Sequence, residues 1–418
     1  MRGFSGKIAG AFSSEKAVPL ATINKGFAFR RIGMRSATVS VIFVCMVLLL
    51  VAAGCSKMGT PAPTAAGSTP ERPDALGVGE GKPSEARAQE RQGAVQYRVA
   101  DAHLHYLDFL QKTEGMSALL AAMDNAGVDH AMISGMPLVK KWHADEPRRP
   151  GYYLEDDSRT YWYSATDVLV AHAIELLPED QRRRFHPSIS GFNGTDRNAV
   201  DHIRRMLELY PDFWEGIGEV MTRHDDLTAL TYGETARADH VALDAVYELA
   251  AEQDLPVYVH SNIGSVWLRE PIYLDEMENA LKRHRRTRFI WCHAGISRRI
   301  EIPTETKEIR RLLSTYEQLW IDLSWVVLGD YIAPDGKPAP DWIELVEEFP
   351  DRFMIGSDTV GRFTGLAATI QEYYVFLEAL SPETRAKVAH DNFLSVLPQR
   401  VQADLAKDTN QTSNATRR

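Results

Sequence analysis

The chain has 418 residues, of which 44% are hydrophobic and 25% charged, a balance typical of a globular protein rather than a disordered one. Its net charge of −10 is uneven: residues 1–54 carry seven Lys or Arg and one acid, a net of +6, which leaves −16 for the rest. This acidic body argues against nucleic acid as a partner, because nucleic-acid-binding proteins present a basic surface.

The first predicted element is an apolar run from Ala37 to Ala53, which ends in small residues directly before Cys55. This pattern resembles a bacterial signal peptide with a lipobox, which implies cleavage before Cys55 and lipidation of its thiol. We therefore predict a signal peptide over residues 1–54, with Met34 as an alternative translation start. The protein is then expected to be lipid-anchored to a membrane of the bacterial cell envelope, on its periplasmic side or at the cell surface. The alternative is an uncleaved N-terminal anchor.

Both ends of the body are predicted to be flexible. Residues 55–94 contain the lipidated cysteine followed by a segment rich in Pro, Gly, Ala, Ser and Thr without a periodic apolar pattern. Such a segment cannot bury enough surface to fold, so we expect a tether of roughly 35 Å. The polar residues 406–418 are predicted to form a disordered tail.

Between residues 95 and 405, short β-branched runs alternate with segments of helical spacing. The predicted strands lie in QYRVADAHLHY, HAMISGM, FHPSISG, WEGIGEV, PVYVHSN, RFIWCHAG, LWIDLSW and FMIGSDT. Eight strands that alternate with helices predict a parallel α/β sheet, and an eight-stranded (β/α)8 TIM-type barrel closes it most economically. An open doubly wound sheet is the alternative, but no glycine-rich dinucleotide fingerprint follows the first strand.

In such a barrel, active-site residues lie at the carboxyl ends of the strands. Five predicted strands carry a metal-binding type of residue at that end, namely His103 with His105, Glu219, His260, His293 and Asp358. In the first pair, positions i and i+2 face the same side of a strand, about 6.6 Å apart. Two imidazoles and a carboxylate suit zinc or another first-row divalent metal.

The series from Asp101-x-His103-x-His105 to Asp358 resembles the amidohydrolase superfamily. The segments CHAGIS, GSDT and HDNFLSVL are most similar to its amidohydrolase-related branch (family 2), which includes aminocarboxymuconate-semialdehyde decarboxylase. The resemblance implies that His103, His105, His260 and Asp358 bind metal.

The same resemblance leaves the number of metal ions open. It makes His293 either a ligand of a second ion or a catalytic acid/base beside a single one. Glu219 stands where many relatives carry a carboxylated lysine, and it can bridge two ions as in TatD-type nucleases. The GxGE pattern around it also occurs in mononuclear relatives. We therefore expect one or two divalent ions, with zinc as the first candidate.

A metal ion of this kind lowers the pKa of its bound water from 15.7 to about 7. Asp358 would accept the proton and pass it to the leaving group, while the metal and His293 stabilise the oxyanion. The predicted function is therefore hydrolysis of a small-molecule amide, lactone or ester. The alternatives are decarboxylation at the same site, a TatD-like nuclease and a non-catalytic envelope binding protein. The expected partners are the small-molecule substrate, a membrane through the lipid anchor and a second copy in a homodimer.

The candidates for substrate contact are Asn262, Arg223, His224 and Arg362, which follow strand ends, and Trp162, which lies in the long loop after the second strand. The long loop after the second strand is predicted either to form a lid with its aromatic residues, Trp142 among them, or to cover the barrel.

Three other residues are predicted to have structural roles. His130 and His186 begin strands and are expected at the stability face of the barrel. Cys292, next to His293, is expected on the opposite face of its strand, packed against a helix.

Overall fold

A computed structural model of the chain describes residues 97–140 and 159–416. The predicted signal peptide, Met34, Cys55 with its predicted lipidation, and the predicted linker up to residue 94 lie outside the described residues. Trp142 and most of the long loop also lie outside them. Within the described ranges, no helix is both long and apolar enough to cross a bilayer.

The described residues form twelve strands, numbered in chain order. They are β1 (Val99–Asp101), β2 (Leu104–His105), β3 (Val128–Ile133), β4 (Leu138–Lys140), β5 (Thr160–Trp162), β6 (Phe185–Ile189), β7 (Gly216–Met221), β8 (Val257–His260), β9 (Phe289–Trp291), β10 (Leu319–Asp322), β11 (Phe353–Met354) and β12 (Thr359–Val360). Eight of them form one parallel sheet in the order β1-β3-β6-β7-β8-β9-β10-β11. Each overlaps a predicted run, although β3 begins two residues before HAMISGM and β7 ends one residue after WEGIGEV.

The first and last strands of this sheet meet. The Ala102 N–H donates to the Ile355 carbonyl at 3.0 Å. Just beyond, β2 pairs in parallel with β12, with Leu104 opposite Thr359. The sheet therefore closes on itself, and the predicted TIM-type barrel is confirmed.

Thirteen α-helices follow or interrupt the strands within the described ranges. They are α1 (Met116–Ala126), α2 (Ala165–Glu175), α3 (Glu179–Arg182), α4 (Ala199–Leu209), α5 (Val241–Glu252), α6 (Leu274–Arg283), α7 (Glu305–Thr315), α8 (Pro340–Glu348), α9 (Leu366–Glu372), α10 (Tyr374–Ala379), α11 (Pro382–Ala386), α12 (Asn392–Val396) and α13 (Gln399–Thr416).

The helices follow from the sequence pattern. In α4, the buried residues Ala199, Val200, Ile203 and Met206 recur at helical spacing and form one apolar stripe. Helix α1 ends at Gly127, whose φ of 70° suits a left-handed cap without a Cβ penalty.

Alternate residues of the strands belong to two different cores. Val257, Val259, Phe289 and Trp291 pack in the large cluster between sheet and helices. The residues between them point into the barrel, in a cluster of Ala100, Ala102, Met132, Tyr258, Ile290, Cys292, Met354, Phe393, Val396, Leu397 and Val401. The last four come from the C-terminal part of the chain, which fills the amino-terminal end of the barrel and leaves the carboxyl end open to a site.

The C-terminal region differs from the prediction. Helix α13 runs to Thr416, through most of the range 406–418 for which a disordered tail is predicted. The stretch from Gln399 to Thr416 contains no Gly or Pro that would end the helix.

Candidate metal centre

The carboxyl end of the barrel gathers all six predicted metal-binding side chains, which we call the upper cluster: His103, His105, Glu219, His260, His293 and Asp358. They come from the segment between β1 and β2, from β2, β7 and β8, and from the turns after β9 and β11. Five of them are at most 2% exposed. The Asp358 side chain is 13% exposed, which makes it the most accessible member.

The Glu219 carboxylate lies at the middle of the upper cluster. Its Oε2 is 3.3 Å from His105 Nε2 and 3.6 Å from His103 Nε2. Its Oε1 is 2.8 Å from His260 Nδ1 and 3.3 Å from His293 Nε2. Each oxygen of this carboxylate therefore faces a different pair of imidazoles.

Asp358 completes the first of these pairs. Its Oδ1 lies 3.6 Å from His103 Nε2 and 3.5 Å from His105 Nε2. The two imidazole nitrogens are themselves only 3.2 Å apart. Two histidines and two carboxylates thus converge on one point.

The outward-facing nitrogens of His103 and His293 are held by residues at the end of β10. His103 Nδ1 donates to Asp322 Oδ2 at 2.8 Å. His293 Nδ1 donates to Ser324 Oγ at 2.8 Å, and that hydroxyl donates to Asp322 at 2.6 Å. An N–H on the outer nitrogen leaves the lone pair on the inner nitrogen, which faces the centre.

His105 and His260 are oriented in the same way. His105 Nδ1 donates to the Gly135 carbonyl at 3.3 Å, with the Ser134 hydroxyl 3.0 Å from the same nitrogen. His260 Nε2 donates to Asn262 Oδ1 at 3.1 Å. With these tautomers, the inner nitrogens of four imidazoles meet two carboxylates at the middle of the upper cluster.

Such a concentration of lone pairs and negative charge requires a positive charge in its midst. Burial opposes charging His103, but Glu219 and Asp322 outweigh it and raise the pKa of His103 well above 6.5. Burial likewise favours neutral Glu219, yet His103 and the other histidines lower the pKa of this carboxyl well below 4.5. Imidazole nitrogens with carboxylate oxygens are a donor set that binds zinc and similar divalent ions, so the residues fit a metal centre.

The backbone reaches this arrangement at positions where only glycine fits. A Cβ on Gly356 would lie 2.8 Å from the His103 Cβ. Gly218, just before Glu219, has a φ of +127°, and a Cβ there would lie 2.4 Å from the Tyr258 carbonyl oxygen. These close approaches allow β11 and β7 to present their carboxylates against the neighbouring strands.

Several strand ends also turn through the left-handed region. His293 has a φ of 55°, Asp358 a φ of 49° and Trp325 a φ of 60°. Non-glycine residues in this conformation concentrate at functional sites. Here the turns direct three side chains over the mouth of the barrel.

A cavity of about 230 Å³ opens above the upper cluster. Besides five members of the cluster, it is lined by one further histidine, His224, and by an apolar wall of Phe109, Met136, Met221, Leu227, Trp325 and Val360. Burial and the neighbouring His260 lower the pKa of His224 well below 6.5, so this imidazole is neutral near pH 7.

The five predicted substrate contacts have different surroundings. His224 lines the cavity. Trp162 packs behind the apolar wall, in a cluster with Met136, Met221 and Leu227. Asn262 supports His260 and donates to Asp225 at 3.2 Å, so its side chain is occupied within the protein.

The two arginines in this set lie outside the cavity lining. Arg223 binds both oxygens of Glu276 and lies 4.0 Å above the Tyr273 ring. Arg362 is exposed. The prediction that these arginines contact substrate was based only on their positions after strand ends. It did not take into account Glu276, the acid that pairs with Arg223.

Three residues after or at the end of β10 belong to the site but were absent from the sequence prediction: Asp322, Ser324 and Trp325. Asp322 is fully buried; burial raises its pKa, but the hydrogen bond from His103 outweighs this and the net shift is downward. The strand-end rule that selected the other ligands also applies to Asp322, since it is the last residue of LWID.

Cys292 corrects another prediction. It lies in the barrel interior with Tyr258 and Ile290 rather than against a helix. Strand β9 ends at Trp291, and the positive φ of His293 breaks the two-residue alternation there. As a result, Cys292 and His293 both face inward.

The fold is similar to that of several solved structures. An amidohydrolase from Burkholderia multivorans shares 15% identity over 72% of this chain and 100% of its own, with a TM-score of 0.44. Dihydroorotase from Campylobacter jejuni shares 20% identity over 72% and 82% of the two chains, with a TM-score of 0.42. 2,6-Dihydroxybenzoate decarboxylase from Rhizobium shares 14% identity over 74% of this chain and 100% of its own, with a TM-score of 0.43. These likenesses concern the fold and carry no argument about the reaction.

No curated protein matches the chain. The family model described as Amidohydrolase (Amidohydro_2) matches residues 100–398, which run from β1 through α12. The match covers most of the chain and confirms the resemblance to the amidohydrolase-related branch. The protein therefore belongs to this amidohydrolase family.

Proposed function

We propose that the protein is a metal-dependent hydrolase of small molecules. The observation that carries this proposal is the convergence of four buried imidazoles and two carboxylates, whose nitrogen and oxygen atoms are spaced to hold a metal ion. Ordinary buried histidines bind their neighbours through N–H groups, whereas lone pairs that face carboxylates fit a divalent cation.

We further propose two metal positions. His103, His105 and Asp358 would hold one ion, and His260 with His293 the other. Glu219 would bridge them, because its two oxygens face the two groups separately. Zinc suits this set of nitrogen and oxygen donors. When bound, the metal supplies Lewis acidity, which lowers the pKa of a water from 15.7 to about 7.

The chain's own residues would then handle the proton. Asp358 is the acid most open to the cavity, so it is placed to accept a proton from the attacking water and pass it to the leaving group. Asp322 and Ser324 fix the orientation of His103 and His293, so these rings need no rearrangement during the reaction.

Hydrolysis of a lactone, ester or amide is the reaction that this arrangement supports best. Decarboxylation at the same centre is the second candidate. A nuclease is disfavoured because, among the described residues, the cavity lining contains no Lys or Arg to meet a phosphate backbone.

The test is metal analysis of the purified protein, together with assays on a panel of lactones, esters, amides and β-keto acids. We expect one to two equivalents of a divalent metal, with turnover of at least one lactone, ester or amide that chelation abolishes. Absence of stoichiometric metal after metal-replete purification would overturn the metal centre. Release of CO₂ from a β-keto acid, with no hydrolysis of the other compounds, would reassign the protein as a decarboxylase.

We also propose that the enzyme is lipid-anchored to the bacterial cell envelope through Cys55. The small residues before Cys55 and the apolar run from Ala37 to Ala53 support this location. Expression in bacteria fed labelled palmitate should label the wild type and not the Cys55→Ser variant. Equal membrane recovery of both without labelling would favour an uncleaved N-terminal anchor.

A further inference from the structure

His224 is a cavity-lining histidine outside the upper cluster. It is 6% exposed, and its ring stacks on that of His260 with centroids 4.4 Å apart. Its ring centroid also lies 5.9 Å from that of Trp325. Its main-chain N–H donates to Thr228 Oγ1 at 2.8 Å, which fixes the backbone beneath it. The ring is therefore held in one orientation.

Within the described ranges, only one nitrogen of this ring takes part in a hydrogen bond. The Asp226 N–H donates to His224 Nδ1 at 3.1 Å, so Nδ1 carries the lone pair. The proton of the ring then lies on Nε2. Among the described residues, none accepts a hydrogen bond from this Nε2, and the residue lines the cavity. The structure thus leaves a fixed N–H donor for a ligand.

The rest of the cavity offers little to a charged substituent. Beyond the upper cluster and His224, its lining within the described ranges is aromatic or aliphatic. The nearby arginines are already paired with acids: Arg298 binds Asp226, and Arg299 binds Asp225 at 2.8 Å. An anionic group on a substrate would lose its hydration against the apolar wall without gaining a partner there.

We propose that His224 determines substrate specificity by donating an Nε2 hydrogen bond to an uncharged oxygen of the substrate, so that the site selects compact, neutral lactones or esters with an apolar side chain over their carboxylated analogues. This inference rests on the proposed hydrolase function and names its substrate class. The cavity volume of about 230 Å³ is below the ~300–1,000 Å³ of pockets for drug-sized ligands, which favours a compact substrate.

The kinetic test compares the zinc-loaded wild type with His224→Phe, which keeps a stacking ring without a donor, and with His224→Gln, which keeps an N–H donor. The substrates are an alkyl-substituted γ-lactone and the same lactone with a carboxylate at the end of its alkyl chain. We expect the wild type to favour the neutral lactone by at least tenfold in kcat/KM. His224→Phe should lose about 3- to 10-fold on that lactone, and His224→Gln should recover most of the loss.

A binding test keeps this inference separate from the hydrolase proposal. The probes are the matched alkyl cyclopentanones, which offer a carbonyl but cannot be hydrolysed, and calorimetry gives their Kd. We expect the neutral ketone to bind at least tenfold more tightly than the carboxylated one, and His224→Phe to weaken it about 3- to 10-fold at unchanged zinc content.

Equal binding of the two ketones, or an unchanged Kd in the zinc-replete His224→Phe variant, would overturn the proposal. If the ketones bind as expected while neither lactone is turned over, the hydrolase assignment fails and the role of His224 in selecting a neutral carbonyl stands.

Discussion

Two groups of histidines lie at opposite ends of the barrel and use their ring nitrogens differently. At the carboxyl end, the histidines of the upper cluster donate outward and turn their lone pairs toward Glu219 and Asp358. At the amino end lies a second group of His130, His186 and His390, which we call the lower cluster. There, His130 Nδ1 lies 3.0 Å from His186 Nε2, and His186 Nδ1 donates to Glu215 at 2.5 Å.

In the lower cluster, His130 and His186 hydrogen-bond to each other and to a neighbouring carboxylate. His130 donates to His186, which donates to Glu215, so the chain of hydrogen bonds ends on a carboxylate. His390 lies between Asp391 at 2.7 Å and Asp129 at 3.2 Å. Burial opposes its charge, but these two acids outweigh that effect and raise its pKa above 6.5. Within the described ranges, every set of residues spaced to hold a metal contains at least one member of the upper cluster and none from the lower cluster. The direction of the N–H groups, and not the number of histidines, separates the two ends.

The largest expected difference between the ends concerns metal binding. His103→Ala removes a proposed metal ligand that lies close to the carboxylates of Glu219 and Asp358. We therefore expect the loss of at least one equivalent of metal and a fall in activity of more than about 10⁴-fold. His186→Ala, in the lower cluster, is the matched control and should retain metal. Elemental analysis and chelator-controlled assays measure both. Full metal content in His103→Ala would show that the upper cluster does not hold the ion as proposed.

A smaller effect is expected at Asp322, which contacts the upper cluster through the His103 ring, the His293 main-chain N–H and the Ser324 hydroxyl. Asp322→Asn keeps the shape of the side chain, but an amide oxygen is a weaker acceptor than a carboxylate for the hydrogen bond from the His103 N–H. We expect metal affinity to fall about 10- to 100-fold, measured by competition with a chromophoric chelator. Asp391→Asn beside His390 is the control and should leave the affinity unchanged. An unaltered affinity in Asp322→Asn would mean that Asp322 does not tune the ligand.

In the lower cluster, the expected effect is on stability. Glu215→Gln replaces the carboxylate that ends the hydrogen-bond chain through His186, and the Glu215 side chain is only 15% exposed. We expect the free energy of unfolding in urea to fall by about 1–3 kcal/mol, with metal content and activity retained. Loss of metal with unchanged stability would reverse the roles assigned to the two ends.

The smallest expected effect is a pH dependence at His130. Burial and the neighbouring His186 lower its pKa from 6.5 to about 3. Because the unfolded chain binds more protons between these values, the stability that neutral His130 contributes is fully present above pH 6.5 and is lost progressively as the pH falls toward 3. The Tm of the wild type should therefore fall more steeply between pH 6.5 and about 5 than that of His130→Gln. Parallel curves would argue against a buried neutral His130, since His390, with its opposite shift, is present in both proteins.

The sequence predicts most of this fold because buried parallel strands have a strong local signal. Short apolar, β-branched runs such as FHPSI and VYVH are covered on both faces, and helices of clear periodicity separate them. The strand-end rule then places His103, Glu219 and Asp358 at one end without knowledge of the structure. These are properties of neighbouring residues along the chain.

What the sequence could not provide depends on distant contacts and on backbone direction. Arg223 pairs with Glu276, 53 residues away, and no local pattern indicates that partner. The inward orientation of Cys292 arises because β9 ends one residue earlier, which alternation cannot reveal. The extension of helix α13 past residue 405 could not be predicted, because composition alone does not distinguish a polar helix from a coil.

The pairing of β2 with β12 has a consequence for how the protein would acquire the proposed metal. It brings His105 beside Val360, so the proposed ligands are drawn from almost the whole length of the barrel. A nascent or cleaved chain that lacks Asp358 cannot assemble both sides of the centre. Metal binding should therefore occur only after the whole barrel has folded. Its free energy should stabilise the protein against global unfolding and not against fraying of single elements. At a metal concentration 100 times the Kd, that contribution is about 2.7 kcal/mol.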